Sequence, residues 1–451
     1  MRTLTRRGFL AATGSAWLLP RASSAPRPVP SPAQLEWQRD ELALFLHFGV
    51  NTFSDREWGD GHEDPASFAP TGLDARQWAR AARAGGFKTL VLTAKHHDGF
   101  CLWRTETTRH SVAASPWRNG QGDVVREFTD ARRAEGLTAG IYLSPWDRNH
   151  PAYGDSQRYN DVYCAQLTEL LTRYGPLHEV WFDGANGEGP SGKRQVYDWP
   201  RFWGLVRKLQ PRAVMFSDAG PDIRWIGNER GSAGDTNWST MDPAAVPYPG
   251  ASGPGIERAL QDGDPHGSVW RPGETDVSIR PGWFYHPAED AKVKSVDELA
   301  GLYFSSVGRN SNLLLNVPPT RTGLLHDTDV SRLSGLRDRL TALFARDLSG
   351  PGITWQMTGA RSAVGSTELG GLVSVGLADL REDIAQGQRV ARYVLEGSDG
   401  GPWEVLSRGT TVGYRKLDRF GSVALRRVRL RIEDAVAKIL PLTLRLYRGE
   451  A

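Results

Sequence analysis

The chain has 451 residues, with 55 Lys and Arg against 52 Asp and Glu, a net charge of +3. So even a balance gives no basic footprint for nucleic acid, and the length predicts two or three domains. Only Cys101 and Cys164 are present, which excludes a disulfide framework and a cysteine zinc site and leaves pairing of the two open.

Thr5-Arg6-Arg7-Gly8-Phe9-Leu10 opens the chain, followed by a short apolar run and small residues from Ala22 to Ala25. Two arginines, a modest apolar region and a small-residue site predict a twin-arginine export signal over residues 1–25. The apolar run is too short to span a membrane. Export implies a periplasmic or secreted bacterial protein, and no later stretch reads as a membrane span.

From residue 30 the chain alternates short apolar runs with amphipathic stretches. Leu42–Val50 reads as a first strand with His47 near its end, and Phe87–His96 as a second. Leu137–Ser144 is a third, Glu179–Asp183 a fourth, Ala213–Ser217 a fifth and Ile223–Gly227 a short sixth. The seventh unit, around Asp276 to Trp283, is irregular, and Asn312–Val317 is a late strand. Helical spacing falls between them, at 73–84, 124–135, 162–174, 202–209 and 296–308. This alternation predicts a (β/α)8-like barrel over residues 30–348.

Ser349-Gly-Pro-Gly352 breaks the pattern. Beyond it, Arg389–Glu396, Val423–Arg431 and Leu442–Tyr447 alternate with period two, which predicts an antiparallel β-sandwich over 353–451.

The polar clusters converge on the carboxyl ends of the barrel strands, where a barrel assembles its chemistry. His47 ends the first, and Glu57-Trp58 lie in the loop after it. His96-His97-Asp98 end the second, Tyr142 and Trp146 the third, Asp183 the fourth, Asn228-Glu229 the sixth. A lone Asp183-Gly184 would suit a turn. Several strand ends agreeing point to one pocket. Paired carboxyls suit glycoside hydrolysis, one ionised and one protonated. Imidazoles and a Glu can bond vicinal hydroxyls, and Trp can cover a sugar's apolar face. A metal on His96, His97 and Asp98 is the rival, awkward for neighbours on a strand.

Leu46-His-Phe-Gly49, Glu57-Trp58, Ala94-Lys-His-His-Asp-Gly-Phe100 with Trp103, and Trp181-Phe-Asp-Gly184 together resemble the α-L-fucosidases of glycoside hydrolase family 29. The order and spacing of these motifs match across roughly residues 33 to 320. The stretch from Phe182 to Trp199, with Ser278–His286, resembles the branch acting on α1,3/α1,4-linked fucose. The resemblance implies a retaining exo-enzyme acting on fucosylated oligosaccharides through a covalent fucosyl-enzyme, with no metal and no cofactor. It makes Asp183 the nucleophile and places His47, Glu57, Trp58, His96, His97, Tyr142 and Trp283 around the fucose. Glu229 is the expected acid/base and Glu274 the alternative. A related barrel hydrolase on another sugar, such as an α-galactoside, and a silent carbohydrate-binding protein are the rival readings.

Overall fold

The computed structural model describes residues 27–350 and 352–449, so the expected export signal lies outside the described residues. Eight parallel strands close into a barrel. They are Leu42–Leu46 (β1), Thr89–Lys95 (β2), Thr138–Leu143 (β3), Glu179–Trp181 (β4), Val214–Ser217 (β5), Ile223–Trp225 (β6), Gly273–Ser278 (β7) and Ser311–Asn316 (β8). Each pairs with its neighbours in sequence, and β8 closes on β1 with Leu42 opposite Leu313.

The first four strands each lead to a helix, at Ala75–Ala84, Val124–Ala134, Ser156–Arg173 and Trp199–Leu209. All four begin in the same way. Asp74, Asp123, Asp155 and Asp198 each accept a first-turn backbone N–H, satisfying a donor the helix leaves free.

One expectation about the barrel needs correcting. The seventh unit is not irregular: β7 is a full strand, in register with β8 from Gly273–Ser311 to Ser278–Asn316. The irregularity lies between β5 and β6, which residues 218–222 join without a helix. The two cysteines, whose pairing the sequence leaves open, are both buried free thiols.

The barrel interior holds Phe45, Val91, Tyr142, Trp181, Phe216 and Leu314, with Trp37 packed among them from the N-terminal helix Pro32–Asp40. A larger apolar layer lies between strands and helices. The C-terminal domain is an antiparallel β-sandwich built on two long strands, Ala363–Arg381 and Lys416–Ala435, whose ladder is interrupted by bulges. Its buried Arg415 bonds Glu41 and Asp379, each at 2.8 Å, and its Leu377, Leu417 and Tyr447 join the barrel's apolar layer. Glu41 precedes β1, so the sandwich grips the barrel at the strands' amino ends. The carboxyl ends stay open.

Candidate active site

At those open ends lies a two-lobed cleft. One lobe, of about 580 Å³, is lined by His47, Glu57, Trp58, His96, His97, Tyr142 and Trp283. The other, of about 770 Å³, extends over Asn186, Gln195, Tyr197, Trp199, Asp218 and Tyr248. Trp181, Asp183, Ala185, Glu229 and Asp276 belong to both, so they form the wall where the lobes meet.

Asp183 stands two residues beyond the end of β4, after Phe182. Its Oδ1 accepts the Ala185 N–H at 2.7 Å, the short turn an Asp-Gly pair favours. Its Oδ2 accepts the Tyr142 hydroxyl at 2.8 Å and lies 3.5 Å from His97 Nε2. The turn and the cleft thus use different oxygens of one carboxylate. Gly184 is required by a close approach, because a Cβ there would stand 2.3 Å from the Gly250 nitrogen.

β2 ends at Lys95, so His96 and His97 both turn into the same lobe, their rings 4.1 Å apart. The Nδ1 of His97 is paired with Ser144 Oγ at 2.7 Å, and that of His47 with Asn316 Oδ1 at 2.9 Å. Burial pushes His47 down to about 3, and it lowers His96 and His97 as well, with Asp183 partly countering this for His97. All three imidazoles are therefore neutral around pH 7, able both to donate and to accept. Glu57 is fixed by the backbone N–H groups of Trp283 and Phe284 and by His286 at 3.0 Å. Trp58 stands 58% exposed at the mouth, its ring perpendicular to those of His97 and Trp146.

Glu229 lies beyond β6 on a loop that Asn228 shapes by bonding Arg230 N and Ser232 O. The Trp283 indole donates to it at 3.4 Å. Burial raises its pKa above the usual carboxylate range, and the charges of Asp183 and Glu57 add to the shift against that hydrogen bond. Glu274 occupies a different level. It is wholly buried in the barrel interior, accepts the Trp181 indole N–H at 3.0 Å and lines neither lobe. Burial and its neighbour Glu179 push it upward.

The cleft also contains residues the sequence reading passed over: Asp218, Tyr248 and above all Asp276. On β7, Asp276 stands two residues beyond Glu274 and so on the same face, one rung nearer the mouth. The signal was in Glu274-Thr-Asp276, where a strand-period reading places both acids inward.

Among the described residues no helix is long and apolar enough to cross a membrane, and no group of three His, Cys, Asp or Glu could hold a metal ion.

A family description of α-L-fucosidases matches residues 34–341. Alpha-L-fucosidase 1 of Arabidopsis thaliana is 43% identical over 425 residues, covering 88% of this chain and 82% of that protein. A crystal structure of a glycoside hydrolase 29 family member from an unknown rumen bacterium is 39% identical with a TM-score of 0.87, covering 94% of this chain and 78% of that one. A Ruminococcus gnavus family 29 fucosidase in complex with fucose is 29% identical with a TM-score of 0.84, covering 95% and 97%. Similarity of this extent, across both the barrel and the sandwich, makes the chain a member of the α-L-fucosidases, glycoside hydrolase family 29.

Proposed function

We propose that the protein is an exo-acting, retaining α-L-fucosidase that releases terminal α1,3/α1,4-linked L-fucose, with Asp183 as nucleophile and Glu229 as acid/base. The observation that carries this reading is the shared wall. Two carboxyl groups in different environments stand where the two lobes meet, one fixed by hydroxyl and amide donors, the other shifted toward its protonated form.

Fucose sits in the histidine-lined lobe, as fucose is the sugar in the related Ruminococcus gnavus complex. Neutral His47, His96 and His97 bond its hydroxyls. Asp183 attacks the anomeric carbon while Glu229 gives its proton to the departing glycosidic oxygen. The C–O bond to the leaving sugar breaks, and an ester to Asp183 forms with inverted configuration. Glu229, now a carboxylate, takes a proton from water. That water attacks from the face the leaving group vacated, restoring the configuration and freeing Asp183. Glu274 suits neither step, because it faces the barrel interior and lines neither lobe.

The larger second lobe supports a branched substrate. Binding energy from a neighbouring sugar there can be expressed in the transition state. Expected, therefore, is a kcat/KM on branched α1,3/α1,4-fucosyl oligosaccharides at least about tenfold above that on an unbranched α1,2-fucoside or a simple aryl fucoside. A panel of these substrates with aryl galactosides tests the reading. Equal or better turnover of the α1,2-fucoside removes the linkage claim, and preference for a galactoside removes the sugar claim.

Residues 1–25 direct export by the twin-arginine route, supported by Arg6-Arg7 and the small residues before Pro26. Replacing both arginines with lysine is expected to leave the full-length precursor in the bacterial cytoplasm. A processed periplasmic product from that variant counts against the route.

A further inference from the structure

We propose that Asp276 is a substrate-contacting carboxylic acid of the cleft, donating a hydrogen bond at the junction of the two lobes, where fucose and the leaving sugar meet. The inference rests on the fucosidase reading and adds a residue to it.

Three observations carry it. The first is place: Asp276 is one of five residues lining both lobes, together with Asp183 and Glu229. The second is orientation. The inward face of β7 reads Glu274, Asp276, Ser278 from the interior toward the mouth. Glu274 is bonded to the Trp181 indole in the interior, and Ser278 to the Gly282 carbonyl at the rim. Asp276 is the rung between, level with the cleft. The third is its partners. Oδ1 accepts the Trp225 indole N–H at 2.8 Å, which fixes the plane of the carboxyl group. Oδ2 has no hydrogen-bond partner among the described residues, yet it is not among the side-chain atoms sealed from solvent. It therefore addresses the cleft.

The charged groups around it are acids. Glu229 faces it from the loop after β6, Asp183 from β4, and Glu274 lies one rung below. Among the described residues Asp276 forms no ion pair with a cation. Burial, then the charge of Glu229, pushes Asp276 up to about 8, with the indole bond and its own backbone amide only partly opposing this. A further negative charge in a buried wall, beside the Asp183 carboxylate and the Glu229 carboxyl group, is unfavourable, so the group keeps its proton. A carboxylic acid with one oxygen engaged as acceptor has an O–H to offer. In this position it meets a sugar oxygen, and a buried donor matched to a substrate hydroxyl discriminates strongly against substrates that lack it.

Asp276→Asn and Asp276→Leu test this. Asn keeps an oxygen for Trp225 and an N–H for the substrate, and it cannot ionise. Leu has similar bulk and offers no donor. On a branched fucosyl oligosaccharide at neutral pH, Asn is expected within about threefold of wild type, and Leu between about tenfold and about a hundredfold lower in kcat/KM. The pH profile supplies a second readout that does not depend on the Leu variant folding. On the alkaline side, log kcat/KM of the wild type steepens as a second proton is lost beyond that of Glu229, and the Asn variant lacks the steepening. A folded Leu variant that matches wild type overturns the proposal. So does an Asn variant as impaired as Leu, or one whose profile coincides with wild type. If the wild-type protein itself releases no fucose from any fucoside, the underlying reading fails instead.

Discussion

Asp183→Asn is expected to yield a folded protein whose fucose release falls by at least about 10⁴-fold, because the covalent route is lost with its nucleophile. The fold should survive for reasons visible at the site. The side chain is 26% exposed, it lies after β4 and not within it, and Asn retains an oxygen for the Ala185 N–H. The melting temperature should shift by no more than about 3 °C, the effect of roughly 1 kcal/mol in a domain of this size. Tyr142 and His97 keep their other anchors, so the fucose lobe stays formed. The accompanying Asp183→Ala variant opens space where the carboxylate stood. Azide entering there attacks the face the nucleophile used, so any rescued product should be β-L-fucosyl azide. Near-normal turnover in the folded Asn variant, measured on the oligosaccharide, removes Asp183 from the nucleophile's role.

The legible and illegible parts of this chain differ in how each strand is buried. Leu42–Leu46 and Leu90–Leu92 show as apolar runs because helices cover one face and the barrel interior the other. β7 is just as buried and reads Gly-Glu-Thr-Asp-Val-Ser. Each of its first polar side chains holds one partner, Glu274 the Trp181 indole, Thr275 the Asn312 carbonyl and Asp276 the Trp225 indole. Hydropathy reads such a strand as a loop, so the seventh unit reads as irregular and Asp276 is not singled out. In the sandwich, Ala363–Arg381 escaped for another reason. Its glycines at 365, 370, 371 and 376 interrupt the apolar alternation that marked Leu442–Tyr447. His47, His96, His97 and Asp183 were legible because each follows an apolar run at a strand's carboxyl end. The resemblance and its place after the sixth strand favour Glu229 over Glu274, but the level of each is not local: one is raised by the cleft and the other by the barrel interior, and only the closed barrel separates those levels.

Glu229→Ala is expected to separate substrates by their leaving groups. The raised pKa keeps Glu229 protonated to higher pH than an ordinary glutamic acid, so the proton is available to the leaving oxygen. As pH rises through that raised value the acid form is lost, and kcat/KM on an oligosaccharide falls; in the variant this limb should vanish. A sugar leaving group needs the proton, so its kcat/KM should fall by about 10³-fold. An aryl group that departs readily needs little help in the first step, so its kcat/KM should fall far less. Its kcat should still fall, because water then attacks the fucosyl-enzyme without a base. Azide needs no base. It enters the space Glu229 vacates and attacks from the face opposite Asp183, so rescue should give α-L-fucosyl azide, the anomer opposite to that from Asp183→Ala. The two products together assign each carboxyl group to its face of the sugar. Glu274→Ala should behave differently: it empties a buried site and strands the Trp181 indole N–H, costing about 2 to 3 kcal/mol of stability with no azide effect. Azide rescue in Glu274→Ala and none in Glu229→Ala would make Glu274 the acid/base.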